Sequence, residues 1–557
     1  MSRFLQIFCT ILSALLIALA IPNEILFFGS PLIGLFALFP FYITLRFTRS
    51  LPETFLLCFI HGALTHLLSS FWLGNFMGFA IFTLGASDLG TGFFEGFFSL
   101  GFYAPVLFTK KTQVLEETAG IKSSFISFRA LWFTAIYVIW EYCKSTGFLA
   151  YPWGTLSMTA YKWNSLTQIA DITGVYGITF LFALFSATLG EGTILLGQVT
   201  NSEAGKRRFT SYLQLSLLTL ALFLISFTYG FARLSQKQVP VKTMNTILVQ
   251  QNRNPSRRNE SENIRKAQSL TQTQLDNFKT EGKNCDLVVW SEAVLSQRFP
   301  MGEVYYRHMP AENPLIPFIK QNQTPFIIGG PIVFNEEKRE FGNSALLFDK
   351  DGNYAGAYTK MHLVPFAELI PFRNFEIIQK ILKSMVGFSY GWTPGKEART
   401  FTIPLQNGNE VCISTPICFD DSAHEVCRAL YKNGSEIFVN ITNDSWSKTK
   451  SAEIQHFVVA HYRSIEYRST TVRSANAGYT VVIDSNGKVL ADLPLFEEGA
   501  LAYEVPIYER KTTVYALFGN WLPYTLIFLA FALLLVKIYK QRFEQIEVSL
   551  DFPEESV

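Results

Sequence analysis

The sequence predicts a polytopic α-helical membrane bundle joined to a large α/β soluble domain, and three observations carry that prediction. Apolar runs long enough to cross a bilayer recur through residues 1–232, and one more, Phe518–Val536, lies near the C-terminus. Between them, from about Val241 to Arg510, apolar residues shift to strand-length runs separated by helical patterns. Composition agrees: 49% of the 557 residues are hydrophobic and 17% charged, lean in charge for a soluble chain of this size. A net charge of +2 argues against the concentrated basic surface that nucleic acid requires.

A helix crosses the hydrocarbon core with about 20 apolar residues. The runs are Leu5–Ile21, Ile25–Leu45, Thr54–Phe71, Leu89–Phe108, Phe128–Cys143, Leu166–Leu196 and Ser211–Phe231. Arg3 ahead of the first is compatible with a signal peptide, but no small-x-small cleavage site is clear and a second run follows at once. It is read as a span. Lysine and arginine gather on alternate loops: Arg3, then Arg46 and Arg49, then Lys110, Lys111 and Lys122, then Lys206 to Arg208. Lys537, Lys540 and Arg542 follow the last run. The positive-inside rule makes these loops cytoplasmic, so the polar region emerges on the other side. Asn75–Gly85 is apolar but too short to span, and reads as an interfacial or re-entrant piece. The expected organisation is a helical membrane domain over 1–232 and a soluble domain over 241–510. A C-terminal span over 515–540 and a cytoplasmic tail over 541–557 complete it.

Within the soluble region, Thr243–Gln250, Cys285–Trp290, Phe326–Phe334, Ser344–Phe348, Val411–Ile417, Ile437–Ile441, Thr471–Ser474 and Tyr479–Ile483 read as strands. Glu260–Thr280 reads as a helix. Ile454, Phe457, Val458, His461 and Ile465 recur at helical spacing and predict an amphipathic helix. About 270 residues suffice to bury an independent core.

Three segments interrupt this pattern with chemistry: Trp290-Ser291-Glu292, Tyr358-Thr359-Lys360-Met361-His362-Leu363-Val364-Pro365-Phe366-Ala367-Glu368, and Cys418-Phe419-Asp420 at the end of an apolar strand. Each has a bland reading alone. Glu292 fits a helix-capping carboxylate, Lys360 a solvated surface lysine and Cys418 an inert buried thiol. A thiol at a strand end is also well placed as a nucleophile, lifted off the sheet by the turn. Of the seven cysteines, Cys9, Cys58 and Cys143 fall in spans, and no Cys-x-x-Cys spacing occurs.

Taken together and in this order, the three segments resemble the Glu-Lys-Cys triad of the nitrilase superfamily. Lys360-x-His362-Leu363-Val364-Pro365-Phe366-x-Glu368, with spans on both sides of the domain, resembles the bacterial apolipoprotein N-acyltransferases. Supporting motifs are Gly147-Phe148-x-x-Tyr151-Pro152-Trp153-Gly154, Asp171-Ile172-Thr173-Gly174-Val175-Tyr176-Gly177 and Val249-Gln250. Asn443-Asp444-Ser445-Trp446, Gln455-His456 and Arg473-Ser474-Ala475-Asn476-Ala477-Gly478 extend the likeness over nearly the whole chain. The resemblance implies a four-layer α-β-β-α sandwich on the periplasmic face of the bacterial inner membrane. It also implies transfer of an acyl chain from a glycerophospholipid to the α-amine of an apolipoprotein's diacylglyceryl-cysteine, by a ping-pong thioester route. Cys418 would be the nucleophile, Glu292 the general base and Lys360 the cation at the oxyanion. Glu368, Phe419, Asp420 and Trp290 would support them. No cofactor and no metal is implied.

The residue types suit that chemistry, because the thiolate is the attacking species and a thioester remains reactive toward an amine. Two positions depart from the family pattern: Ser291 stands where Pro often precedes the glutamate, and Phe419-Asp420 where Tyr-Glu commonly follows the cysteine. No aromatic is obvious in Arg253–Asn259, where the family has one. Substrate handling is expected to differ first at Phe419-Asp420. Two other functions compete: a membrane-anchored amidase releasing its acyl group to water, and a non-catalytic binding module. The apolar loops at Tyr151–Trp153 and Asn75–Gly85 favour the transferase over the amidase, and the three chemical residues together disfavour the module. His61, His66, Glu95, Glu141 and Glu191 lie in spans, where they are expected to face protein, water or the interface.

Overall fold

The computed structural model describes residues 1–76, 81–110, 125–197, 203–253, 259–369, 375, 380 and 391–550. Lys111 and Lys122, most of the Arg253–Asn259 segment and the end of the tail lie outside them.

Five described helices are long and apolar enough to cross a membrane: Arg3–Ala20, Leu51–Ser69, Tyr176–Leu196, Gly205–Ser235 and Trp521–Tyr539. Ser87–Lys110 and Phe125–Lys144 pack among them but carry more charge, including Glu95 on the first and Arg129, Glu141 and Lys144 on the second. Two expected spans begin differently. Ile25–Leu45 opens as a loop and then splits into Pro31–Ala37 and Phe39–Arg46. Pro40 sits in the first turn of the second piece, where its missing N–H costs nothing but interrupts a continuous helix. Leu166–Leu196 starts as the short helices Asn164–Thr167 and Ala170–Thr173, and turns at Gly174 (φ +63°) before Tyr176–Leu196. A Cβ at Gly174 would lie 2.5 Å from the Tyr515 ring, so both backbone angle and space require glycine there. Of the expected interfacial piece Asn75–Gly85, residues 77–80 lie outside the described residues; a 3₁₀ turn covers Phe71–Asn75, and a π-helical turn, Ile81–Ala86, runs into Ser87–Lys110.

The ionisable residues of the bundle are paired inward, as lipid demands. Glu95 meets His61 Nδ1 at 2.7 Å, and Glu191 takes the Tyr42 hydroxyl at 2.5 Å and Arg46 at 2.7 Å. Glu141 accepts from the Leu156 amide and the Thr179 hydroxyl, each at 2.6 Å. His66 bonds Ser87 at 2.9 Å.

The α/β part contains two six-stranded sheets. The first has the order β12-β1-β2-β3-β4-β5 and the second β11-β10-β9-β8-β7-β6. In chain order the strands are β1 Lys242–Gln250, β2 Leu287–Trp290, β3 Phe326–Asn335, β4 Glu340–Phe348, β5 Tyr354–Thr359 and β6 Thr400–Pro404. Next come β7 Glu410–Ser414, β8 Ile437–Thr442, β9 Thr470–Ala475, β10 Val481–Ile483, β11 Val489–Asp492 and β12 Gly499–Ile507. In each sheet β1-β2-β3 or β7-β8-β9 run parallel with antiparallel neighbours outside them, so helices must cross over the outer faces. The inner faces meet through Met244, Leu248, Val289, Ile413, Val439 and Val472, all buried. Ser474 Oγ crosses between sheets to the carbonyls of Val249 and Val289. Glu260–Thr280 and Leu315–Asn322 cover the first sheet, and His424–Lys432 and Lys450–Tyr467 the second. The result is the four-layer α-β-β-α sandwich.

One element departs from expectation. Lys450–Tyr467 is not amphipathic in its setting, because every residue from Ser451 to Tyr467 is buried. Both sides carry apolar and polar contacts: His456 and Ser464 bond the sandwich, while Phe457 packs on Tyr161 of the bundle. Gln455 Nε2 donates to the carbonyls of Pro22 and Ser69, and the Tyr462 hydroxyl to that of Ser157.

Candidate active site

Three strand ends converge at the edge of the sandwich nearest the bundle. β2 ends at Trp290, and the chain turns through Ser291, Glu292 and Ala293, the last at φ +58°. Gly329 of β3 passes directly against this turn: a Cβ there would lie 2.5 Å from the Ala293 nitrogen and 2.6 Å from the Glu292 Cα. The glycine lets β3 hold the turn, through Gly329 N to Ser291 O and Leu295 N to Gly329 O. Glu292 is buried, and its Oε1 accepts from Asn343 Nδ2 at 2.7 Å. Burial raises its carboxyl above the usual range, while Lys360 pulls it back.

Lys360 follows β5 and is 1% exposed. Its backbone is fixed by N–H donation to Asn343 O and acceptance from Gly395 N. Its Nζ lies 2.9 Å from Glu368 Oε2 and 3.5 Å from Glu292 Oε1. Burial opposes the ammonium, but the negative charges facing it, the thiolate form of Cys418, Glu368 and Glu292, outweigh burial and raise the lysine well above its ordinary range. Glu368 is itself steadied by the Val364 amide at 2.9 Å.

Cys418 stands beyond the end of β7 and opens a 3₁₀ turn, Cys418–Asp421. Its φ of +46° is rare for a side-chain-bearing residue and marks a strained elbow. The thiol is 9% exposed; burial first, and Glu292 next, push it well above the ordinary thiol range, so it rests protonated.

The four expected supporting residues fall in different places. Glu368 joins Lys360. Phe419 stacks between the Trp153 ring, 5.3 Å away and 4° from parallel, and the His362 ring at 5.2 Å. With Trp72 and Ala452 these aromatics form the apolar seam between bundle and sandwich. Asp420 turns the other way. It is fully buried and accepts from the amides of Met361, His362 and Ile417 and from the Tyr358 hydroxyl. This carboxylate, expected to support the triad, braces the cysteine elbow to the lysine loop. Trp290 is also removed from the site: its ring is in the core against Phe326, and its Nε1 donates to Thr271. Alternation along β2 points Trp290, with Val288, to the outer face covered by helices, and the strand ends before Glu292.

Sequence reasoning missed Asn343, which donates to both Glu292 and Glu368, at 2.7 and 3.4 Å. A lone asparagine at a strand gave no signal. It also quoted Asp444, His456 and Arg473 without a role, and gave Asp421 none. They form a closed ring of charges beside the thiol. His456 Nδ1 meets Asp444 Oδ2 at 2.8 Å and its Nε2 meets Asp421 Oδ1 at 3.0 Å. Arg473 bridges Asp421 and Asp444 from the other side. Asp444 Oδ1 is the acceptor of the Cys418 thiol at 3.8 Å. All seven cysteines are free thiols, Cys412 and Cys427 included.

A strained, buried cysteine grouped with a lysine and two glutamates suits nucleophilic acyl transfer, and its setting on an α-β-β-α sandwich defines the carbon-nitrogen hydrolase class. The model of that family, carbon-nitrogen hydrolase, matches residues 248–513, and the apolipoprotein N-acyltransferase N-terminal domain matches residues 13–188. Apolipoprotein N-acyltransferase 2 of Treponema denticola is 40% identical over 97% of this chain and 98% of its own. The protein of the same name in Treponema pallidum is 38% identical over 91% of each chain. Apolipoprotein N-acyltransferase of Borreliella burgdorferi is 31% identical, again over 91% of each. The chain belongs to the apolipoprotein N-acyltransferase family and is a membrane-associated acyltransferase.

Proposed function

We propose that the protein moves a fatty acyl chain from a glycerophospholipid to the N-terminal amine of a diacylated apolipoprotein, with Cys418 carrying the chain as a thioester. The observation that bears most on this is the position of Cys418 at the seam, where Phe419 lies face to face with Trp153 of the bundle. An apolar seam of this kind suits a lipid tail, and an amidase has no need of it.

In the first half-reaction Glu292 takes the thiol proton, and the sulfur attacks the ester carbonyl carbon. Lys360 stabilises the tetrahedral oxyanion. The ester C–O bond breaks, Glu292 returns the proton to the glycerol oxygen, and the lysophospholipid departs. In the second, the acceptor amine attacks the thioester and loses a proton to Glu292. The C–S bond breaks, and the proton returns to Cys418. Glu368 and Asn343 hold Lys360 and Glu292 in register throughout.

The domain plan we infer has a membrane bundle over 1–232, a catalytic domain over 241–510, a C-terminal span over 515–540 and a tail over 541–557. The α/β part contacts Pro22, Ser69, Ser157 and Asp171, at ends of the bundle opposite to Arg46 and Arg49. With the positive-inside rule, this supports a bacterial inner-membrane protein whose catalytic domain faces the periplasm.

The test is the fate of the acyl-enzyme. Purified protein loaded with a labelled phospholipid is chased with a diacylglyceryl-cysteine peptide or with buffer alone. Transfer of label to the peptide amine, with little loss to water, is expected. Release as free fatty acid at the same rate with or without peptide would establish a hydrolase instead.

A further inference from the structure

Four side chains beside Cys418 take no part in the acyl-transfer steps above, yet they are among the most buried charges in the protein. Asp421, Asp444, His456 and Arg473 are each 7% exposed or less. The two aspartates each meet both cations: His456 spans them through its two nitrogens and Arg473 through its two terminal nitrogens, one of which also lies 2.9 Å from His456 Nδ1. Such a ring is neutral only while His456 is charged. Burial, and Arg473 beside it, work against that charge, but Asp444 and Asp421 outweigh them and raise the imidazole pKa to about 9.

Asp444 is the member that reaches the sulfur. Its Oδ2 is occupied by His456, Arg473 at 3.0 Å and the Thr442 hydroxyl at 3.3 Å. That leaves Oδ1 directed at Cys418 Sγ. His456 and Arg473 depress Asp444 far below the carboxylate range, so it accepts the S–H without taking the proton. Glu292, the other carboxylate near the thiol, is biased in the opposite sense. One carboxylate is built to hold a hydrogen bond and the other to accept a proton.

We propose that Asp444, fixed by the positioning residues His456, Arg473 and Asp421, forms a resting latch on the nucleophile: its Oδ1 accepts the Cys418 S–H and keeps the sulfur as a thiol until an ester donor enters and the proton passes to Glu292. The latch keeps the nucleophile in its less reactive thiol form toward oxidants and stray electrophiles between turnovers. It rests on Cys418 being the nucleophile.

The test reads the thiol itself, in the full-length protein in detergent, by iodoacetamide alkylation of the Cys418 peptide followed by mass spectrometry across pH. The charges facing Cys418 are Glu292, Lys360, Glu368, Asp444 and Arg473, and those facing His456 are Asp421, Asp444, Arg473 and Glu453. D444N removes the acceptor charge, so the alkylation midpoint should fall by about one pH unit and the rate at neutral pH rise about tenfold. H456Q removes a positive charge and leaves Asp444 in place, so the midpoint should move the other way. A structural role alone would shift both variants in the same direction, and that result, or no shift in either, overturns the latch. A measurement on unaltered protein guards against misfolded variants: the S–H stretching band, taken as wild type minus C418A, should lie below that of a free thiol. A band at the free-thiol frequency also overturns it. Phospholipid labelling in the same preparations separates the two claims, since label that persists in C418A removes the nucleophile assignment whatever the alkylation shows.

Discussion

Cys418, Lys360 and Glu292 come from three strand ends separated by 58 and 68 residues, and their pairing makes each one testable. Glu292→Gln keeps the Asn343 and Lys360 contacts but cannot take a proton, so acyl-enzyme formation should slow by about 10²–10⁴-fold in stopped-time labelling. Wild-type acylation should rise with pH through a range above that of an ordinary carboxylate, because burial raises Glu292 and the base form appears later. That limb should vanish in the glutamine variant. Lys360→Met should cost about 10²–10³-fold with the protein still folded, as expected for loss of one oxyanion partner. These three residues were legible in the sequence because each lies in a distinctive local run. Asn343 and the Asp421-His456-Asp444-Arg473 ring were not, since their meaning depends on partners 12 to 52 residues away that only folding brings together. Asp420 was expected as a supporting residue, but its partners could not be read from the sequence, because the 3₁₀ turn rotates its side chain onto amides of the lysine loop.

Among the elements, the loops are held by backbone contacts that leave little slack. Gly329→Ala would place a methyl against the Glu292 turn at 2.5–2.6 Å from its backbone. Because all the atoms met are backbone, acylation and stability should fall together, stability by about 1–3 kcal/mol, read as activity and thermal unfolding. Asp420→Asn should also lower stability. Asp420 accepts from three amides and one hydroxyl, and an asparagine NH₂ must face at least one of those donors, at roughly 1–3 kcal/mol for each left unsatisfied. The Asp420 carboxyl is raised by burial to about 7 in the folded protein. The folded state therefore holds its proton more tightly than the unfolded chain, and this group's contribution to stability is lost as pH rises from about 4 to about 7. Most strands and the two long helices of the sandwich were legible from hydrophobic period alone. β5, β6, β11 and β12 were not, because they are peripheral strands with mixed burial and no sustained apolar run. The Lys450–Tyr467 helix showed its period but not its setting, since polar residues buried against partners on both sides look in sequence like residues that meet water.

At the scale of the whole molecule, bundle and sandwich are fastened by buried charge. Arg468 reaches from the end of that helix to Asp171 at 2.7 Å and to Gln168, and Asp171 also receives Arg233 and the Tyr229 hydroxyl. Arg468→Ala leaves Asp171 its Arg233 and Tyr229 partners but strips the buried Gln168 oxygen of its donor, so it should cost about 1–3 kcal/mol, read as a lower unfolding midpoint and faster proteolysis at the seam. The spans were legible as apolar runs, but their breaks at Pro40 and Gly174 were not placed, because hydropathy averages over the very residues that interrupt a helix. The seam itself, with Trp153 over Phe419, could be seen only in the folded chain. The claim that joins all three scales is that an acyl chain from the membrane is carried on Cys418. Protein incubated with a phospholipid of defined chains, digested and weighed should give a Cys418 peptide heavier by one acyl group. Neutral hydroxylamine should remove that mass, and it should be absent from C418A. An acyl group found on another residue, or retained in C418A, would contradict it.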